Sequence, residues 1–476
     1  MTIHTARKNS LVRFTSLGLG LTLAFGAVPA TALAQSATAQ SAAPQSANSQ
    51  PSGSVLTEAP LTYLVNRGDT LIDVARKYLR NPADYRRLQR DNRVANPRRM
   101  ATGRTLQIDT ALLRTREDPA RIESFRGDVQ VLRNGAPVAV ALGAQLREGD
   151  VVSTGSSAFA RIAFSDGTYT VVPSRSSIRM DRLRRFVIND APDHRLVVNR
   201  GRVENRVTSR QRPGGFRVTT PTAISAVRGT EFRVAYDDVT GNSSTGVLEG
   251  TVAVADETDT HGVLVPNGQG VALRAGDDTP VPVALLAAPV MAEDDLLQTD
   301  ATLAFDYSAP SDARIVRGFI AADASMQDLL AEADAPVGQP LTYTDLPEGQ
   351  YFLRLTAVSP DGLEGRGRTF NFIRARNGID GLSLSEELAN NARLYRFKWR
   401  AEGEGDASFR FQLTRANEAG EPEGQPLIDS AGLSDSTFTL SDLPPGTYSW
   451  RIEGTRYRFG HRLSVWSSPE VLTINR

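Results

Sequence analysis

Cysteine is absent from all 476 residues. Disulfides, thiol nucleophiles, iron–sulfur clusters, cysteine zinc sites and a lipid-modified N-terminal cysteine are thereby excluded. Histidine is scarce: His4, His194, His261 and His461 lie far apart, without the spacing of a metal pair. Lysine is reduced to Lys8, Lys77 and Lys398, and the other cations are arginine, which reads as compositional bias rather than chemistry. Net charge is also missing, with 54 basic and 54 acidic residues, which argues against a polyanion binder of the histone kind. No GxSxG elbow, Walker loop or HExxH occurs. The acidic pairs Asp237-Asp238 and Asp294-Asp295 sit in turn or linker sequence and read as solvated charges. The expectation is a protein that is not an enzyme, with no catalytic residue, no metal and no cofactor.

Long apolar runs are lacking too. Spanning a bilayer takes about 18–20 apolar residues, and the longest run, Leu17 to Val28, is shorter and broken by glycine. That run follows Arg7, Lys8 and Arg13 and precedes Ala32-Leu33-Ala34, the pattern of a cleaved secretory signal peptide over residues 1–34. Residues 35–60 are almost wholly Gln, Ser, Ala and Thr. They cannot bury enough apolar area to offset ordering entropy and read as a disordered linker. A periplasmic or otherwise exported protein with no transmembrane segment after cleavage is expected.

What remains has room for three or four domains. From Leu61 to Ile108 the pattern is strand, helix, helix, strand. Tyr63 and Val65 alternate with polar neighbours, Gly68 permits a positive φ, and Asp69 or Thr70 can cap a helix whose Leu71, Val74, Ala75 and Tyr78 share one face. Asn81 caps a second helix with Pro82 at its start, and Asn96-Pro97 and Gly103 mark loops before Leu106 and Ile108. Eleven basic residues against five aspartates give residues 61–109 a balance of +6, although no aromatics are interleaved with them as a nucleic-acid surface requires. The Gly68-Asp69-Thr70-Leu71 turn and the Asn96-Pro97 loop, at this spacing, resemble a LysM domain over 61–110. The resemblance implies binding of N-acetylglucosamine-containing glycan, chiefly peptidoglycan, between two loops. The residues carried over are Gly68, Asp69, Thr70 and Leu71 on one side and Asn92, Asn96, Pro97, Arg98 and Arg99 on the other.

From about residue 120 to 275 the helical period disappears, and short alternating runs are punctuated by turn signals such as Asn134-Gly135, Gly149-Asp150, Asp166-Gly167 and Asn199-Arg200-Gly201. A sandwich, barrel or solenoid-like stack is expected. Thr220-Pro221-Thr222-Ala223 followed by Ala226-Val227-Arg228-Gly229-Thr230-Glu231-Phe232 resembles a FecR domain. Members that give the family its name relay periplasmic signals across the inner membrane. No cytoplasmic helical segment or membrane helix is expected ahead of this domain, so the transmembrane role is not carried over. The resemblance therefore implies an envelope β-domain in which Arg228, Gly229, Thr230, Glu231 and Phe232 serve either the fold, through a turn and an internal ion pair, or a partner contact.

Beyond it, Leu346-Pro347-Glu348-Gly349-Gln350-Tyr351 recurs as Leu443-Pro444-Pro445-Gly446-Thr447-Tyr448, an offset of 97 residues. A period near 100 predicts two tandem β-sandwiches, over 290–375 and 378–476, which resemble fibronectin type III or immunoglobulin-like modules. Trp399, Trp450 and Trp466 are expected in cores. The fold class expected is mainly β and multidomain: a small α+β head, an all-β FecR-like domain and two sandwiches. The function expected is non-catalytic attachment to peptidoglycan with presentation of the β-domains to an envelope or inner-membrane protein. The alternative is a soluble periplasmic component of a signalling or sensing system acting through the FecR-like domain.

Overall fold

A computed structural model of the chain describes residues 60–208, 215–227, 229–277, 279–291, 296–389 and 392–475. The expected leader and nearly all of the tether lie outside the described residues. The chain is mainly β and multidomain, with helix confined to short segments near the start of the described region.

The first module is built as its turn chemistry dictates. Strand Leu61–Leu64 pairs antiparallel with Thr105–Ile108, and helices Leu71–Tyr78 and Tyr85–Asp91 lie between them, separated by a 3₁₀ turn at Pro82–Asp84. Thr70 is the N-cap of the first helix. Its Oγ1 accepts from the Asp73 amide at 3.1 Å and donates to the Asp73 carboxylate at 2.6 Å. The core between these two strands and two short helices is extended from outside. Leu71, Val74, Leu88, Leu106 and Ile108 pack together with Phe186 and Ala191 of the next domain.

That next domain, from Thr115 to Ala284, is a closed barrel. Its key element is the 15-residue strand Pro192–Arg206. The first half pairs with Ser177–Phe186 and, in parallel, with Gly215–Thr219, whereas the second half pairs with Tyr169–Val172 and Glu231–Asp237. Asn199-Arg200-Gly201, which as sequence reads as a turn, is therefore interior to one strand that passes between two ladders. Gly201 (φ +75°) is the passing point: a Cβ there would meet Ser176 Oγ at 2.5 Å and Arg175 O at 2.7 Å. Asn134-Gly135, by contrast, is a hairpin turn with both residues at positive φ. Alternating residues such as Ile162, Leu196, Val203, Phe232 and Val254 fill the barrel core.

Two sandwich-like domains follow. In the first, a five-stranded sheet (Leu297–Gln298, Glu364–Arg374, Gly349–Val358, Ile315–Ala321, Leu329–Pro336) encloses a core with the pair Leu303–Phe305 and Leu341–Tyr343. In the second, the sheet Gly378–Ala389, Ala392–Glu402, Thr437–Ser441 covers the sheet built on Ala407–Ala416 and Gly446–Arg458. Trp399 and Trp450 lie in that core, and Trp466 is half-buried beneath the Arg451 guanidinium, 4.2 Å from its ring centroid.

The two copies of the repeat make the same bond. Tyr351 Oη donates to Pro347 O at 3.1 Å, and Tyr448 Oη donates to Pro444 O at 2.6 Å. Each tyrosine thus fastens its strand to the turn four residues upstream, as in a tyrosine corner. Tyr448 is fully buried while Tyr351 is not. Tyr448→Phe should cost about 1 kcal/mol and lower the thermal transition of the last domain by several degrees. Tyr351→Phe should cost less, and differential scanning calorimetry of both variants checks the order.

Candidate functional site

The turn Gly68–Leu71 and the loop containing Asn96–Arg99 are brought together by one main-chain bond, from the Leu71 amide to Pro97 O at 2.8 Å. Most of the side chains expected there are committed to holding the loops. Asp69 accepts from Tyr63 Oη and from the Asn66 amide, both at 2.8 Å. Burial and the bond to Asp69 push the Tyr63 hydroxyl up to about 12. Thr70 caps its helix, Leu71 is buried, and Asn96 Oδ1 accepts from the Arg98 amide at 2.9 Å. Asn92 works elsewhere, tying Leu88 O to both main-chain groups of Gln107. Gly68, at φ +89°, has open space where a Cβ would stand, and Arg98 and Arg99 are exposed. The pair of loops thus offers main chain, a glycine and two guanidinium groups to solvent.

The FecR-like string is spent largely on the fold. Arg228 lies outside the described residues. Gly229 (φ +77°) and Gly250 (φ +83°) are turned against each other. A Cβ on Gly250 would meet Thr230 Cγ2 at 2.7 Å and Gly229 O at 3.0 Å. Phe232 is a core residue, edge-on to Phe216. Glu231 faces Arg206 at 3.6 Å, and burial, together with repulsion from Glu204, raises its carboxyl pKa. Upstream, Thr220 and Thr222 hydroxyls both bond to buried Ser243.

A third constellation escapes sequence reasoning. One face of the barrel is covered by the first sandwich-like domain through a network of buried charges. Arg233 contacts Glu204 at 3.0 Å and Glu364 at 3.2 Å, and Arg354 grips Glu204 with both terminal nitrogens at 3.1 and 2.9 Å. Arg317 holds Asp334 bidentately at 2.7 and 2.8 Å and Glu364 at 3.1 Å, while Arg202 pairs with Glu332. Burial alone would raise the Glu204 carboxyl, but the charges of Arg354 and Arg233 bring it down to about 2. Beside the network, Phe159 packs against Phe319, Ala321, Met326 and Leu329, and the Arg354 guanidinium stands 4.9 Å from the centroid of Phe319. Gly270 admits the Leu363 side chain so closely that a Cβ would lie 2.6 Å from it. In sequence these charges occupy the outward positions of alternating strands and read as a solvated face. The one signal is the pairing at i, i+2 of Arg202 with Glu204 and of Glu332 with Asp334.

One constellation among the described residues has the residue types of a catalytic triad. Asp118, Ser165 and His194 do meet inside the barrel, joined by Arg185. Asp118 Oδ2 accepts from Ser165 Oγ at 2.7 Å and from Arg185 Nε at 2.8 Å, and lies 2.9 Å from His194 Nε2. In this arrangement the serine donates to the carboxylate rather than to the imidazole, and His194 is 1% exposed, so no nucleophile is activated and no substrate reaches it. Among the described residues no group of His, Asp and Glu is placed to hold a metal, and no helix is long and apolar enough to cross a membrane.

Residues 150–253 match the family described as FecR protein, so a FecR domain is found within the barrel. No curated protein matches the chain. Among solved structures, two described as an anti-sigma factor from Parabacteroides distasonis are 14% and 15% identical, each with a TM-score of 0.24. Each match covers 28% of this chain and 59% of that one, so the chain spans less than two thirds of their length. The FN1–FN3 domains of chicken CNTN1 are 10% identical over 58% of this chain and 99% of that one, with a TM-score of 0.23.

The buried cluster at Asp118 sets a pH dependence. Burial opposes ionisation, but hydrogen bonds from His194 and Ser165 and the charge of Arg185 hold its carboxyl down at about 2, against 3.8 for a free aspartate. A depressed carboxyl stabilises the fold fully above its unfolded pKa and loses that contribution as pH falls through the folded one. Asp118 should thus supply about 2 kcal/mol at neutral pH that disappears between roughly pH 4 and 2. Asp118→Asn should destabilise the barrel at pH 7 and flatten its acid limb in that window, read by denaturant titration at each pH.

Proposed function

We propose that this chain is a non-catalytic cell-envelope protein that binds peptidoglycan through residues 61–110 and presents its FecR domain and sandwich-like domains to another envelope or inner-membrane protein. The observation that carries the glycan reading is the joining of the Gly68–Leu71 turn to the Asn96–Arg99 loop by the Leu71–Pro97 bond. Two main-chain segments held side by side can hydrogen-bond N-acetyl and hydroxyl groups, and Arg98 and Arg99 add attraction for an anionic wall polymer. The residue pattern of a LysM domain and the strand-helix-helix-strand module support the same reading. Support for a protein partner comes from the FecR match at 150–253, and that match equally supports a soluble periplasmic part of a signalling system.

Sedimentation with purified sacculi separates the two. Protein lacking residues 1–34 should pellet, and the double variant Arg98→Glu/Arg99→Glu, altered only at exposed positions, should lose about tenfold in bound fraction. Wild-type protein that stays in the supernatant at low salt would overturn the glycan reading and leave the signalling reading in place.

A further inference from the structure

Between the first module and the barrel lies a cleft of about 500 Å³, far enough along the helix Leu71–Tyr78 to be distinct from the Gly68–Leu71 turn at that helix's other end. Its walls carry both signs of charge. Arg80 and Asp109 come from the first module, and Arg217, Asp193 and Asp259 from the barrel. Much of this charge is already matched within the protein. Asp193 is buried and bridges Arg182 at 2.8 Å and Arg195 at 3.3 Å, and Asp109 accepts from Arg87 at 2.7 Å. Two groups are not. Arg80 uses only its Nε, on Leu113 O at 2.9 Å, and its terminal nitrogens have no partner among the described residues. Asp259, held at φ +55° in the turn between the strands Thr251–Asp256 and Gly262–Pro266, has a carboxylate oxygen shielded from solvent that accepts no bond. The sealed oxygen is out of a ligand's reach, but the other oxygen of Asp259 is not sealed, and it too has no partner among the described residues.

We propose that this cleft binds a zwitterionic peptide segment, a carboxylate meeting Arg80 and an ammonium group meeting Asp259, and that its occupant is the peptide stem of the same strand whose sugars the two loops hold. The assignment rests on the glycan reading above. An eight-residue helix spans about 12 Å, and an extended peptide of four residues reaches about 14 Å. A stem leaving a sugar at the Gly68–Leu71 end can therefore arrive at the cleft. A volume of this size is that of an ordinary small-ligand site, and Phe186, which packs into the module's core, also lines the cleft.

The test compares intact sacculi with glycan strands stripped of their stems by an amidase, using protein lacking residues 1–34. Wild type should bind intact material about tenfold more tightly than stripped strands. Arg80→Ala and Asp259→Asn should each remove most of that preference while leaving binding to stripped strands unchanged, and Arg80→Lys should retain part of it. Arg80 is exposed, so thermal transitions equal to wild type verify that the variants fold. Equal wild-type affinity for the two materials, or variants that weaken both alike, would overturn the proposal and leave the glycan reading standing. Binding to neither material would overturn both.

Discussion

The packing of the barrel against the first sandwich-like domain depends on a balanced set of charges, nearly all of them buried. Arg202, Arg233, Arg317 and Arg354 face the buried carboxylates of Glu204, Glu332 and Glu364 and the exposed one of Asp334, so the signs cancel. Taking each ion out of water costs several kcal/mol, and mutual attraction repays this only when every charge has its partner. Such a network contributes little net stability, yet it is intolerant of error: a shifted register would strand a guanidinium in an apolar seam. It therefore fixes how the two domains meet, with the Phe159–Phe319 contact supplying the apolar burial. The barrel face bearing Arg202, Glu204 and Arg233 is covered by the chain's own next domain. That face is therefore closed to any other protein while the two domains stay packed.

This casts the arginine excess in another light. As composition it reads as a bias, but the structure uses the planar fork repeatedly. Arg133 on Asp150, Arg184 on Glu148, Arg317 on Asp334, Arg354 on Glu204 and Arg410 on Asp429 are all bidentate. Lysine, a single point charge, could not reproduce these. Four of these forks tie neighbouring segments within one domain, and the fifth, Arg354 on Glu204, joins the first sandwich-like domain to the barrel. Within the barrel, Asp118 gathers Arg185, Ser165 and His194 beside the segment that leads in from the first module.

How much of this was legible depended on distance along the chain. The helix at Leu71–Tyr78, its Thr70 cap and the hairpin at Asn134-Gly135 are local chemistry, and the residues announce them. The repeated tyrosine turn was legible because an identical local device occurs twice. Gly201 misled because a glycine that lets a strand bend and a glycine that ends a strand look alike until the crowding by Ser176 is known. The loop residues show a subtler limit. Asp69, Thr70 and Asn96 are where the pattern puts them, but the pattern does not distinguish a side chain that meets a ligand from one that braces the loop, and here all three brace. The charge network was illegible because an outward-facing arginine on an alternating strand has the same sequence whether water or another domain lies opposite. The cleft at Arg80 and Asp259 was hidden for the same reason, its walls coming from segments more than a hundred residues apart.

Native-state hydrogen exchange on wild type and Glu364→Gln tests most directly whether the charge network makes barrel and sandwich one cooperative body. In wild type the strands Pro192–Arg206 and Glu231–Asp237 should exchange through the same global opening as Ile315–Ala321 and Gly349–Val358. In the variant, with Arg233 and Arg317 each short of a buried partner, all four should lose protection together, by about 3 kcal/mol. Loss confined to the two sandwich strands, with the barrel strands unchanged, would contradict the account.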